Sequence, residues 1–444
     1  ISTSTSTTST TAPNGVAWGK TLGGTGNDEA TGVDFGGTSI YVGGHFTGTA
    51  DVDWKTTSTD NRTSAGYEDS FLSKFGGSGG TLKWTKTWGG TNKDVAYDVA
   101  VDRDNNDIYI GGFTGGTEAD YDPDPSNTVT IGGSNAQGGY DSWISQFNPT
   151  GDLQWAKNFG SSSHDRIDGM AAAGGKVYAT GYETGPGGNW QPDSSQPAIQ
   201  LGSSSYDPFV LKMNSSAKTL WVKVVGGTGT SHVPTGKAVA IDGSGNVYTA
   251  GYYRGTADLD SGSGTAMFTS TTSNKNEVFL LKHNSSGDHQ WAKVFPSYGA
   301  GEAYGVTTDS SGNVYMSGFF ADWMDFDPST GDATIRSAGS SDGYVARYSS
   351  AGALATGNAP LTADPPSGFQ VVHGPVDSAE LQGYEAEVVL TTPLCAGGQW
   401  TFQRPSNGTS VRQYIVQDSA LSNSGLGIGA YIKANFTDGG STRP

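Results

Sequence analysis

Residues 221–251 read WVKVVGGTGTSHVPTGKAVAIDGSGNVYTAG, and this stretch decides the fold. It opens on Trp221, passes a Gly-rich bend, alternates apolar and other residues through AVAI, turns at DGSGN, and alternates again through VYTAG. Alternation on both sides of an Asp/Ser/Gly/Asn turn is hairpin chemistry. The same order recurs along the chain. Trp18 opens WGKTLGG, Trp84 opens WTKTWGG, Trp155 opens WAKNFGS and Trp291 opens WAKVFPS. The hairpin recurs as GVDFGGTSIYVGG, DVAVDRDNNDIYIGG, GMAAAGGKVYATG and GVTTDSSGNVYMSG. A third anchor is an acidic start to an apolar strand, at Asp69, Asp141, Asp207, Glu277 and Asp342, each 14 or 15 residues before the place of the next Trp. After Asp342 that place falls on Thr356, and the array ends.

A period of about 70 residues with four short strands describes the blades of a propeller. The strands are labelled a (VAID-like), b (VYTAG-like), c (FVLKM-like) and d (the Trp strand). Strand a is rich in small residues and is expected innermost, with d outermost. The expected fold is all-β: a five-bladed β-propeller over residues 16–355. The first repeat begins with d and the last ends with c. Residues 18–22 are therefore expected to pair beside residues 344–348 and close the ring.

The WAKxFGG, DSSGNVYxxG, GTADxD and DxFVLK-type segments resemble the SBBP family of bacterial β-propeller repeats, over about residues 18–355. The resemblance implies the propeller fold and an exported or surface protein, and it supplies no catalytic residue. The family name implies a different blade count from the five units found here.

Composition agrees with strands and turns. Glycine supplies 68 of 444 residues, and charged residues are only 15%. Interior glycines disfavour helices by about 1 kcal/mol each. The net charge of −18 argues against nucleic acid, whose phosphates would be repelled. No apolar run approaches the roughly 18 residues of a membrane helix. Cys395 is the only cysteine, so no disulfide forms within the chain. The start at Ile1 is read as a processed terminus, and the expected location is extracellular or at the cell surface. Sequons at Asn61, Asn214, Asn284, Asn407 and Asn435 are candidate glycosylation sites.

The flanks differ from the repeats. Residues 1–15 form a Ser/Thr tail, readable as a linker or as a β-strand that adds to another sheet. Residues 356–368 carry three prolines and read as a linker. Residues 369–444 hold five alternating stretches (FQVVHG, EAEVVLTT, QWTFQRP, SVRQYIVQD and GIGAYIKANF), which predict a small β-sandwich.

Function is expected on the long b–c links, because long loops on a rigid scaffold carry most binding sites. Four links hold Asp-x-Asp: Asp51 and Asp53; Asp120 and Asp122, with Asp124; Asp258 and Asp260; Asp325 and Asp327. The third link reads GNWQPD, with Asp193 alone. Residues two apart on a strand share a face, so two readings stand. The pairs hold Ca²⁺, or they accept hydrogen bonds from their own loops in Asx-turns. Trp54, Trp190 and Trp323 are candidates for stacking on sugars, or else a hydrophobic cover. His164 and His232 are candidates for a shared metal or acid/base role, or else solvated loop residues; His45 is expected to pack. No nucleophile, zinc or phosphate-loop motif occurs. The reading is a non-enzymatic structural or adhesive protein that self-associates into an extracellular filament or layer and binds surface polymers or other proteins. The alternative is a carbohydrate-active enzyme, or a monomeric sugar-binding module.

Overall fold

The computed structural model describes residues 19–354, except 54–57, 78–79, 116–117, 132–138, 200–205, 228–234 and five single positions, and six strands beyond residue 369. No helix occurs among the described residues. The chain divides into two compact units, Ile1–Gly226 and Gly227–Pro444.

The first unit holds three antiparallel sheets, each in the order a–b–c–d. Sheet 1 runs Glu29–Gly36, Ser39–Asp51, Asn61–Gly76 and Thr81–Trp88. Sheet 2 runs Asp94–Val101, Ile108–Thr114, Asp141–Phe147 and Leu153–Phe159. Sheet 3 runs Arg166–Ala172, Lys176–Glu183, Asp207–Asn214 and Thr219–Val224. The second unit holds sheet 4, Thr235–Ile241, Val247–Tyr253, Glu277–His283 and His289–Phe295. Its sheet 5 has three strands among the described residues, Gly301–Thr308, Val314–Phe320 and Asp342–Tyr348.

Every strand a carries a β-bulge at the same place, skipping Thr31, Tyr97, Asp168, Lys237 and Tyr304. Opposite each bulge stands the last glycine of the VYxxG pattern: Gly44, Gly112, Gly181, Gly251 and Gly318. The bulge pushes a strand a carbonyl against that glycine. A Cβ there would lie 1.8–2.0 Å from the oxygen of Glu29, Val95, Arg166, Thr235 or Glu302. No side chain fits, which is why the repeat ends on glycine.

The repeated Trp also has a structural task. Trp84, Trp155, Trp221 and Trp291 each pack on the strand b tyrosine of their own sheet, Tyr41, Tyr109, Tyr178 and Tyr248, at 6.1–6.4 Å between rings. The indole of Trp155 donates to Ser215 O at 2.8 Å, in the c–d turn of sheet 3. Lys74 of sheet 1 donates to Pro149 O at 2.7 Å, in the c–d turn of sheet 2. Neighbouring a strands are tied as well: Asp34 accepts from Val101 N at 2.8 Å, and Asp98 from Met170 N at 2.7 Å.

At the start of the array, Gly19–Leu22 form no strand, and Leu22 packs against Phe46, Ala50, Val52 and Phe71 of sheet 1. Gly23–Gly24 pair with Ala50 and Asp51. Trp18 lies outside the described residues, as do the tail 1–15 and the linker 356–368. Beyond residue 369, Gln370–His373, Ala386–Val389, Gln399–Gln403 and Val411–Ile415 form one antiparallel sheet, and Phe436–Asp438 pairs with Ser441–Arg443. Four of the five expected stretches contain these sheet strands; the fifth, GIGAYIKANF, lies outside the described residues except for Phe436.

Candidate functional site

The b–c links are short β-ribbons laid over the sheets. In sheet 1 the ribbon is the far end of strands b and c, where Asp51 pairs with Asn61. In the other links Ala119–Asp120 pairs with Thr130–Ile131, Thr256–Asp258 with Met267–Thr269, and Trp323–Asp325 with Thr334–Arg336. Strand alternation then sends the middle residue of each Asp-x-Asp into the core. Val52, Tyr121, Leu259 and Phe326 are all buried.

The first Asp of each pair closes its own ribbon. Asp51 Oδ1 accepts from Asp53 N at 3.0 Å and Asp60 N at 2.9 Å. Asp120 Oδ1 accepts from Asp122 N at 3.0 Å and Val129 N at 2.9 Å. Asp258 Oδ1 accepts from Asp260 N at 3.0 Å and Ala266 N at 2.8 Å. Asp325 Oδ1 accepts from Asp327 N at 2.9 Å and Ala333 N at 3.0 Å. One oxygen thus joins an Asx-turn to the returning strand. The later acids continue the turn. Asp122 accepts from Asp124 N, Asp260 from Gly262 N, Asp327 from Ser329 N, and Asp53 from the Ser58 hydroxyl.

The third link follows the same plan with other letters. Asn189 Oδ1 accepts from Gln191 N at 2.9 Å and Ile199 N at 3.2 Å. Gln191 Oε1 accepts from Asp193 N at 3.2 Å and Thr219 N at 3.0 Å. Asn189-Trp190-Gln191 therefore stands where the others have Asp-x-Asp. Trp190 is the buried middle residue, 0% exposed, against Phe209 and Phe159 at 4.6 and 5.5 Å. Its place as an exposed sugar-stacking residue is corrected: strand alternation turns it inward. The apolar residue between two side-chain acceptors was the signal that matching Asp alone overlooked.

A neutral amide in this role shows that the position needs an acceptor rather than a charge. Among the described residues no group of three or more His, Cys, Asp or Glu is placed to hold a metal ion. Asp124 and Asp193 are held below the usual carboxylate range by the Ser126 and Ser195 groups that donate to them. Trp323 is half-buried beneath the Arg336 guanidinium at 5.5 Å. Trp54 and His232 lie outside the described residues, as do Asn407 and Asn435. Asn61 is exposed, while Asn214 and Asn284 pin c–d turns by accepting from Ser216 N and Ser286 N at 3.0 Å.

Inside the ribbons, acids that begin strands a and c close the turns before them. Asp28, Asp94 and Asp165 accept from Gly24 N, Gly90 N and Ser161 N. Asp69 and Asp342 accept from Ala65 N and Ala338 N. Burial pushes several of these carboxyls upward: Asp69 to about 7 and Asp165 to about 6. Glu183, fully buried and near Asp165 and Asp207, is pushed to about 8 by desolvation first and by those two charges next.

The bulges give this face its second feature. A bulge re-aims a side chain, and in the first unit it presents Tyr97 and Asp168. Arg166 lies between the rings of Tyr97 and Tyr182, at 4.8 and 4.9 Å, and Asp168 holds it at 2.9 Å. Tyr206 stacks on Tyr182, and His164 stacks on Tyr140 at 4.9 Å. His45 packs edge-on to Tyr97. Around Arg166 this patch of the first unit is tyrosine-rich, and the guanidinium is paired with Asp168.

No family model matches the chain. Over 186 residues it is 27% identical to an uncharacterized WD repeat-containing protein of Acanthamoeba polyphaga mimivirus, a match covering 38% of this chain and 13% of that protein's length. That likeness and the succession of antiparallel four-stranded sheets both fit a repeat β-propeller scaffold. Neither singles out the SBBP repeats.

Proposed function

We propose that this chain is a non-enzymatic structural or adhesive scaffold of five propeller blades. It acts outside the cell, self-associates into a filament or layer, and offers its tyrosine-rich loop face to surface polymers or other proteins. One observation carries the reading. In all five links the acceptor side chain that could have held a cation or done acid–base work accepts from its own backbone, and in the third link an amide does so equally well. The Ser/Thr tail and the net charge of −18 support export and solubility. The test is incubation of the full chain with neutral and acidic polysaccharides, reading both retention and chain cleavage. Retention without new reducing or unsaturated ends is expected. Release of such ends would establish the carbohydrate-active enzyme instead.

A further inference from the structure

In two neighbouring sheets of the first unit, the residue just before the acid that begins strand c is an exposed tyrosine. Tyr140 precedes Asp141 in sheet 2, and Tyr206 precedes Asp207 in sheet 3; the other sheets hold Glu68, Asn276 and Ser341 there. Tyr140 is 37% and Tyr206 39% exposed. Each ring rests on an aromatic residue of strand b in its own sheet, Tyr140 on Phe113 at 4.7 Å and Tyr206 on Tyr182 at 5.4 Å. The register sets Phe113 opposite Val95 and Tyr182 opposite Arg166, so the two supports are equivalent positions.

Stacked planar groups join the two rings. From Phe113 the succession passes to Tyr97 at 5.9 Å, on to Arg166 at 4.8 Å, and from Arg166 to Tyr182 at 4.9 Å. Exposed His164 widens the Tyr140 end. Rings held from beneath offer a flat apolar surface at small entropic cost. Charge narrows what lies on it. Arg166 donates from Nε and Nη2 to Asp168 at 3.3 and 2.9 Å, and Lys93, beside Tyr140, is held by Glu68 at 2.7 Å. These paired cations hold no anion, and the net charge of −18 repels acidic chains. Ring faces, tyrosine hydroxyls and a neutralised guanidinium, its side chain 24% exposed, remain to make contact. A pyranose has an apolar C–H face and a rim of hydroxyls that both donate and accept, so it matches ring and rim together. A Pro-rich peptide would bring carbonyl acceptors and few donors.

We propose that the first unit binds a neutral polysaccharide across sheets 2 and 3, with sugar rings stacked on Tyr140 and Tyr206 and hydroxyls bonded to Arg166 between them. This rests on the scaffold reading and names the class of polymer that its tyrosine face takes.

The test is affinity electrophoresis of the full chain in native gels cast with dextran, hydroxyethylcellulose, galactomannan or arabinoxylan, and with alginate as the acidic chain. At least one neutral polymer is expected to retard the wild type, and alginate is not. Tyr140→Ala and Tyr206→Ala should each weaken that binding roughly tenfold, the share of one stacked ring. Tyr140→Leu and Tyr206→Leu repeat this arm with packing on Phe113 and Tyr182 retained, and Tyr206→Phe should stay near wild type. Tyr298→Ala removes a ring that is 66% exposed in the second unit and should change nothing. Passage through all four neutral gels, retardation by alginate alone, alanine and leucine variants that match wild type, or an equal loss in Tyr298→Ala would each overturn the proposal. Binding of a polyproline peptide in place of any polymer would overturn it too, and give the rings to a protein partner. New reducing ends in a retarding polymer would instead defeat the non-enzymatic reading while leaving the site standing.

Discussion

At the scale of the residue, the oxygen of Asp120 and the oxygen of Asn189 perform one task, so charge at that position contributes little. Asp120→Asn should change unfolding free energy by under about 0.5 kcal/mol, because the accepting oxygen remains. Asp120→Ala should lower it by about 1–3 kcal/mol, because the N–H groups of Asp122 and Val129 lose their acceptor. Denaturant unfolding of the two variants makes the comparison, and equal losses would show that the carboxylate charge matters. The Asp pairs were plain in the sequence. Their partners were not, because Val129 returns nine residues later along a path fixed by the ribbon. Trp190 was misread for a related reason. Its burial follows from Asn189 and Gln191 taking the flanking positions, and letter matching does not show equivalence of role.

At the scale of the element, the bulge and its facing glycine explain why the repeat is so legible. Gly112 stands under the Val95 carbonyl, so Gly112→Ala forces strands a and b apart. The loss should be roughly 1–3 kcal/mol or more, as for overpacked cores, with a lower denaturation midpoint. A neutral outcome would mean that the bulge moves freely. The Trp anchors were legible because a large ring stacks on the strand b tyrosine in each of sheets 1 to 4. The bulged residues left no such mark: Thr31, Tyr97, Asp168, Lys237 and Tyr304 share a backbone position and no single residue type. The gathering of Tyr97 and Asp168 around Arg166 was therefore invisible before the structure.

At the scale of the whole molecule, the buried carboxyls set a pH dependence. Asp69, Asp165 and Glu183 titrate near 7, 6 and 8 when folded, and near 4 when unfolded. Between those values the folded chain holds protons that the unfolded chain releases. Their contribution is full below about pH 4 and is lost as pH rises through 6 to 8. The melting temperature should be higher at pH 5 than at pH 8.5, and Glu183→Gln should narrow the gap; an unchanged gap would exclude Glu183. The central claim is that the repeated acids of the loop face serve the protein's own backbone. Thermal unfolding of the full chain, in chelator and then in excess Ca²⁺, tests it most directly. A ligand that binds only the folded state raises the melting temperature by mass action. The two melting curves are expected to superimpose; a clear rise with Ca²⁺ would contradict the account.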